Sequence, residues 1–191
     1  LNSGAVVAVP TETVYGLAAS LKHPQAIKKI FEIKGRPNDK PLSVLVDSIE
    51  QAKELIDNRR DAINRVSTLF DRLAKKHWPG PLTIVVPANP NRVPEEVRVG
   101  QKAVGLRMPD HSDLLDVMDK TGPLAAPSAN LSGQEPARSA DEVLKIFGMG
   151  FPVLDGGVCK GGVESTVVLI EGEKIKILRE GAIKKENLLF K

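Results

Sequence analysis

The sequence is poor in cysteine and in aromatic residues, and each shortage argues against a class of protein. Its single cysteine, Cys159, excludes an internal disulfide framework and a metal cluster built only from cysteines. We interpret Cys159 as a loop thiol in a reducing cytoplasm. The 191 residues contain five phenylalanines, one tryptophan and one tyrosine, which leaves few rings on which a nucleic-acid base could stack.

Long apolar runs are also missing. None approaches the roughly 18 residues that a membrane-spanning helix needs, and the start of the chain has no signal-peptide pattern. We therefore expect a cytoplasmic protein without membrane contact. The chain begins at Leu1 and enters an apolar run almost at once, so we expect that some upstream sequence is missing. A formal net charge of +3 is a mild lean towards anionic partners.

The common motifs for phosphates and metals are absent. The sequence has no GxxxxGK[ST], no GxGxxG and no HExxH, so a bound nucleotide would have to be held by another arrangement. The three histidines are scattered, at His23, His77 and His111. We interpret them as surface or structural residues, because no second ligand lies at a metal-binding spacing.

Apolar runs alternate with segments of helical periodicity along the whole chain. Strands are predicted at 5–9, 42–46, 82–86, 103–107, 123–126, 152–154, 163–170 and 174–178. Helices are predicted around 26–33, 63–73, 114–118 and 143–147, the last opened by a capping box of Ser139 and Glu142. The stretch "EGEK" at 171–174 is typical of a hairpin tip. This order predicts a single α/β domain over 1–191, with helices flanking a mixed sheet.

Polar residues gather where the predicted strands and helices end, which is where α/β proteins usually carry their sites. Six stretches show this pattern: "PTETVYG" (10–16), "KGRPNDKPL" (34–42), "GLRMPDH" (105–111), "APSANLSG" (126–133), "GGVESTVV" (161–168) and "LREGAI" (178–183). Taken singly, each has an ordinary structural explanation. The basic end of the first helix could simply complement the helix dipole, for example.

Arginine inside an apolar strand is the sharpest of these signals. Arg107 needs an anionic partner, and the stretch itself leaves open whether that partner is an internal carboxylate or a substrate. Lys34, Arg36 and Arg179 also lie close to hydroxyl and amide side chains. Such a set suits a pocket for a triphosphate and a carboxylate that is built from side chains instead of a glycine loop.

The six stretches, together with "WPGPLT" (78–83), resemble in order and spacing the YrdC-like threonylcarbamoyl-AMP synthase family. The resemblance runs from about residue 5 to about residue 183. It implies a twisted mixed sheet around a deep, positively charged concave cavity. The implied activity condenses L-threonine, bicarbonate and ATP to threonylcarbamoyl-AMP and pyrophosphate. Longer members carry a linker and a second C-terminal domain, and we expect this chain to be the single-domain form.

The resemblance also implies a role for each polar stretch. Threonine would be bound by Thr11, Arg107, Ser128 and Ser165, with Tyr15 as a pocket wall. The nucleotide would contact Lys34, Arg36, Asn38, Asn130, Arg138 and Arg179. Lys34 and Arg36 would also be catalytic, because they would neutralise phosphate charge in the transition state. Glu12 receives no role beyond orienting its loop.

Further partners follow from the resemblance. Mg²⁺ would be held mainly by the ATP phosphates and water, without a protein metal site. Downstream proteins would pass the threonylcarbamoyl group to tRNA, and direct tRNA binding is left open. Two other classes also stay open: an RNA-binding module, and a carbamoyl-adenylating domain of the hydrogenase-maturation type that would not need threonine. The scarce aromatics argue against the first, and Thr11 with "ESTVV" argues against the second.

Overall fold

The computed structural model describes residues 1–57 and 63–188, with the side chains of 63–65 excepted. Its strands are β1 (Val7–Val9), β2 (Gly16–Ser20), β3 (Ser43–Leu45), β4 (Leu82–Pro87), β5 (Ala103–Arg107), β6 (Leu124–Ala125), β7 (Thr166–Glu171) and β8 (Lys174–Arg179). Its helices are α1 (Pro24–Lys34), α2 (Ile49–Leu55), α3 (Ile63–His77), α4 (Glu95–Arg98), α5 (Ser112–Thr121), α6 (Ala140–Phe147) and α7 (Lys185–Leu188). None of the helices in these two ranges is long and apolar enough to cross a membrane.

One mixed sheet runs through the described part of the chain, in the strand order β1-β2-β6-β3-β5-β4-β7-β8. The pairs β3–β5 and β4–β7 are parallel, and the other neighbours are antiparallel. This confirms the predicted α/β class with a mixed sheet. The hairpin at 171–174 is confirmed as well, since Glu171 pairs with Lys174 and Gly172 takes the left-handed φ of 61° that the turn needs.

The core lies between the sheet and the helices, because strands and helices bury matching apolar faces. Val44, Ile84 and Leu106 are fully buried at the centre of the sheet. Helix α3 adds Phe70, whose ring meets the edge of the Trp78 ring at a centroid distance of 5.5 Å. Burial of such side chains stabilises a fold by roughly 1.5–3 kcal/mol each.

Two local signals decide where helices begin and end near the site. Ser139 Oγ accepts a hydrogen bond from Glu142 N at 3.2 Å, which confirms the serine half of the predicted capping box of α6, while Glu142 Oε2 accepts from Arg138 N at 2.6 Å and not from Ser139 N. Helix α1 ends at Gly35, which adopts a left-handed φ of 58°. The chain therefore leaves the helix directly after Lys34 and carries Arg36 towards the ends of the central strands.

The strand prediction was wrong in three places. Strand β2, "GLAAS", was missed because its small residues lack a strand pattern, and it forms because it is buried on both faces between β1 and β6. The segment 152–154 makes only a single bridge, between Val153 and Ala8. Strand β7 begins at Thr166 and not at 163, since the preceding residues turn towards the cavity described next. Helices α2, α4 and α7 were not predicted either.

Candidate active site

A cavity opens where the ends of β3, β5 and β8 meet the loops that follow β1 and β6 and precede β7. Seventeen residues line it: Thr11, Thr13, Val14, Tyr15, Gly16, Arg36, Pro41, Ser43, Leu45, Thr83, Arg107, Ala126, Pro127, Ser128, Glu164, Ser165 and Arg179. Seven of them were predicted as site residues: Thr11, Tyr15, Arg36, Arg107, Ser128, Ser165 and Arg179. The structure thus brings together side chains from all six polar stretches.

The turn after β1 is held by its own hydroxyl groups. Thr11 Oγ1 donates to Val14 O at 2.6 Å and accepts from the backbone N–H groups of Thr13 and Val14, both at 3.2 Å. Its hydroxyl is therefore already engaged in the turn. Thr13 Oγ1 lies 2.9 Å from Thr11 Oγ1 and accepts from Arg107 Nη2 at 2.9 Å. Sequence reasoning missed Thr13 as a site residue, although its place two residues after Thr11 was a usable signal.

Arg107 has an internal carboxylate partner. Its Nη2 lies 2.8 Å from Glu12 Oε2, and its Nε donates to Gly80 O at 3.3 Å. Of the two alternatives for this arginine, the structure thus shows an ion pair within the protein. Arg107 also lines the cavity, so the predicted contact with a substrate carboxylate stays a prediction. Glu12, which had no role beyond its loop, holds the arginine in place.

Lys34 is buried and makes three hydrogen bonds. Its ammonium donates to Ser128 O, to Asn130 O at 2.7 Å and to Asn130 Oδ1 at 2.9 Å, which uses all three protons. The pKa of Lys34 is lowered from 10.5 to about 8, mainly by burial and in part by the nearby Arg36, while Glu164 opposes the shift. Lys34 does not line the cavity. A phosphate contact stays a prediction, and what the structure shows is a lysine that holds the turn at 128–130.

Three other predicted nucleotide contacts lie outside the cavity. Asn130 is buried and donates to Leu131 O and Gln134 O at 2.9 and 2.8 Å. Arg138 packs against Gly162, where a Cβ would stand only 2.7 Å from the guanidinium carbon. Asn38 lines a separate cavity beside α1 and α4. The structure does not bring these side chains to the cavity, and their contacts with a nucleotide stay predictions.

Arg36 lines both cavities. Its Nε donates to Lys40 O at 3.1 Å and its Nη2 to Pro41 O at 2.9 Å, so the guanidinium is held by backbone oxygens of its own loop. No carboxylate of the described residues forms an ion pair with it. Arg36 is therefore the cavity arginine without a fixed counter-charge.

The far wall of the cavity is a network around Ser165. Arg179 donates to Ser165 O from Nε at 3.2 Å and from Nη2 at 2.9 Å, and its Nη1 lies 2.7 Å from Glu164 Oε2. Ser165 Oγ lies 2.8 Å from Thr83 Oγ1. Sequence reasoning missed Thr83 and Glu164, although both lie inside quoted motifs.

A glycine-rich loop at 155–162 packs over the stretch 10–16, which is called the first motif below. Tyr15 is fully buried, donates to Gly157 O at 2.9 Å and accepts from Gly156 N at 3.1 Å. Burial is the main cause that raises the pKa of Tyr15. Gly161 N donates to Glu12 O at 2.9 Å, and a Cβ on Gly161 would lie 2.6 Å from that oxygen. Only glycine allows so close an approach, and the loop thereby fixes the backbone on which Glu12 sits.

Metal ligands are sparse in the described residues. They contain no group of three or more histidine, cysteine, aspartate or glutamate side chains that could hold a metal ion. Glu164 is the single carboxylate on the lining of the cavity. This donor set fits a cation that arrives with the phosphates of a nucleotide, since Mg²⁺ is often bound by one carboxylate, phosphate oxygens and water.

Comparison with known proteins places the chain in a family. The Sua5/YciO/YrdC family model, described as "Telomere recombination", matches residues 1–181. The threonylcarbamoyl-AMP synthase of Bacillus subtilis is 42% identical over 190 residues, which are 98% of this chain and 53% of that protein. The enzyme of the same name from Pyrococcus abyssi is 40% identical and is matched over 54% of its length. The chain thus spans about half the length of these curated relatives.

The fold agrees with this assignment. The crystal structure of P. abyssi Sua5 complexed with L-threonine superposes with a TM-score of 0.84 at 40% sequence identity, over 94% of this chain and 51% of that one. Sequence and fold therefore agree over almost the whole chain, and the chain belongs to the Sua5/YciO/YrdC family.

Proposed function

We propose that this chain is an L-threonylcarbamoyladenylate synthase, which condenses L-threonine, bicarbonate and ATP to threonylcarbamoyl-AMP and pyrophosphate. The observation that carries the proposal is the convergence of Arg36, Arg107 and Arg179 on one cavity lined with hydroxyl groups. Three guanidinium groups suit a substrate pair that brings a carboxylate and a triphosphate. The names of the relatives and the threonine bound to P. abyssi Sua5 support the same activity.

The substrates would divide the cavity between them. Threonine would lie near the first motif, with its carboxylate towards Arg107 and its hydroxyl towards Ser128 and Ser165. The ATP phosphates would lie between Arg36 and Arg179, which line the cavity from different elements. The lining has no large aromatic side chain besides Tyr15, whose hydroxyl is engaged, so adenine would pack on aliphatic groups.

The chemistry needs no covalent bond to the protein. The threonine amine attacks carbon dioxide and loses a proton to give a carbamate; when bicarbonate is the source, water leaves instead of a proton. A carbamate oxygen then attacks the α-phosphorus, and pyrophosphate leaves. The side chains contribute by holding the two substrates in line and by neutralising phosphate charge, which are the main sources of catalysis in such transfers. Mg²⁺, when bound, would neutralise part of the phosphate charge.

The wider setting is proposed on the same basis. The product would be handed to proteins that transfer the threonylcarbamoyl group to tRNA, and the mild positive charge is compatible with direct tRNA contact. A cytoplasmic location fits the single cysteine, Cys159.

Pyrophosphate release tests the proposal, with ATP, threonine, bicarbonate and Mg²⁺ each left out in turn. We expect release only when all four are present. If equal pyrophosphate were released without threonine, the proposed activity would be wrong and the chain would instead adenylate carbamate. Absence of release together with tight tRNA binding in a filter assay would replace it by an RNA-binding function.

A further inference from the structure

Glu164 is paired with an arginine that a nucleotide would need. Its Oε2 lies 2.7 Å from Arg179 Nη1, and the two side chains are 38% and 44% exposed, so the pair faces the cavity opening and is not locked in the core. A carboxylate in this place occupies one edge of the guanidinium. Phosphate oxygens approaching Arg179 would meet a negative charge beside their intended partner.

This arrangement is unfavourable for ATP alone. Burial lowers the pKa of Lys34 and of Arg36, and Glu164 lies close enough to both to oppose that shift, so its charge acts on the same cations that are proposed to hold phosphates. Like charges at close range in a partly enclosed site repel strongly. A divalent cation between the carboxylate and the phosphates converts that repulsion into attraction.

We propose that Glu164 is the protein ligand of the Mg²⁺ that accompanies ATP, an inference that rests on the proposed function. When Mg²⁺ and ATP bind together, the carboxylate exchanges Arg179 for the cation, and Arg179 is released to the phosphates. The one ion pair of the free protein is thereby replaced without leaving either charge unpaired. Mg²⁺ characteristically takes one or two carboxylates and completes its octahedron with phosphate oxygens and water.

The surroundings of Glu164 make it a better candidate for the Mg²⁺ ligand than the acidic residues nearby. Its backbone is fixed, because Ala182 N donates to Glu164 O at 3.0 Å, while its side chain is partly exposed and is bound to Arg179. Glu12 is held by Arg107 and by Asp110 N, and it does not line the cavity. Glu180 shares a second, smaller cavity with Glu164 and Arg179, but it does not line the cavity of the candidate active site, and it contacts Lys184 at 3.4 Å.

Calorimetric titration with ATP, in Mg²⁺ and in EDTA, tests the proposal on wild type, Glu164→Gln and Glu180→Gln. In wild type we expect Mg²⁺ to tighten ATP binding. In Glu164→Gln this tightening should fall by about tenfold or more, within the range of ordinary coupling between two ligands, while binding in EDTA is unchanged or tighter. Glu180→Gln removes the same charge from the neighbouring position and should behave as wild type.

Other outcomes contradict the inference in distinguishable ways. If Glu164→Gln weakens ATP binding by the same factor in Mg²⁺ and in EDTA, the carboxylate only positions Arg179. Equal Mn²⁺ affinity of the ATP-saturated wild type and Glu164→Gln, measured by electron paramagnetic resonance, would also overturn it. If wild type binds no ATP in either buffer, the proposed function itself fails, and the inference fails with it.

Discussion

Arg107 and Glu12 form an ion pair that joins the end of β5 to the turn after β1, with Nη2 and Oε2 2.8 Å apart. Both side chains are largely buried, at 8% and 21% exposure. The second carboxylate oxygen, Glu12 Oε1, is buried and has no hydrogen-bond partner among the described residues. The pair therefore fixes the first motif against the sheet and leaves Glu12 dependent on the arginine.

Removing Arg107 should consequently destabilise the protein. We expect Arg107→Ala to lower the free energy of unfolding by about 3 kcal/mol, because it leaves a buried carboxylate without its counter-charge. The double variant Arg107→Met with Glu12→Gln should lose less than the sum of the single losses. Urea denaturation of the wild type, Arg107→Met, Glu12→Gln and the double variant measures this coupling, and strictly additive losses would show that the ion pair contributes nothing.

Lys34 should make stability depend on pH in an unusual direction. Its pKa is lowered to about 8 in the folded protein, against 10.5 ordinarily. Between these values the unfolded chain binds a proton that the folded chain has released, so the free energy of unfolding rises with pH. The rise is at most about 3 kcal/mol and is absent below the folded pKa, where both states are protonated.

Urea unfolding of wild type and Lys34→Met between about pH 7 and pH 10.5 isolates this effect, because other groups titrate alike in both proteins. The difference between them should grow in favour of wild type as pH rises. A difference that stays constant with pH would mean that the ammonium is not desolvated in the folded protein.

Arg36 should matter for catalysis more than for folding. We expect Arg36→Ala to lower kcat/KM for pyrophosphate release by roughly 100-fold, because a charge that stabilises the transition state is lost. Lys28→Ala is the matched control, since Lys28 lies on α1, the helix that Arg36 follows, pairs with Glu96 at 3.6 Å and does not line the cavity of the candidate active site. Full activity of Arg36→Ala would show that the arginine only complements the dipole at the end of α1 and has no role in catalysis.

Gly181 should be irreplaceable for a steric reason. A Cβ at this position would lie 2.2 Å from Glu164 O and 2.7 Å from the Ser165 carbonyl carbon. Gly181→Ala must therefore displace the segment that carries Glu164 and Ser165, and overpacking of this kind costs about 1–3 kcal/mol. Gly150→Ala is the control, because nothing lies within 4 Å of its Cβ position. Thermal melts and pyrophosphate assays of the two variants should differ, and two unchanged proteins would contradict the expectation.

The cavity should select amino acids by their hydroxyl group. Thr13, Ser128 and Ser165 line it with hydroxyls, so valine, which has the shape of threonine without its oxygen, would leave polar groups unpaired. Discrimination of that kind reaches about 10⁴-fold, whereas serine lacks only a methyl group, worth about 1–3 kcal/mol. We expect the order threonine, serine, valine in competition assays of pyrophosphate release. If valine supported pyrophosphate release as well as serine does, these hydroxyls would not recognise the substrate side chain.

The class of fold and seven of the seventeen residues that line the cavity could be predicted from the sequence. Apolar periodicity is a local property, so it located the central strands and the long helices. The capping box at Ser139 and the hairpin tip at Gly172 were readable for the same reason. Polar stretches at strand ends indicated where the cavity lies, because the ends of neighbouring strands in an α/β sheet meet at one edge, and the resemblance to a known family named the seven lining residues.

Only the tertiary structure decided which groups are partners. No local pattern indicates that Glu12 lies beside Arg107, that Lys34 holds Asn130, or that Arg179 holds Glu164. Strand β2 likewise exists because its neighbours bury it, and not because of the preferences of its small residues. Ion pairs and burial depend on the distance between groups that are far apart in the chain. Those distances are set when the sheet assembles, and no local pattern in the sequence indicates them.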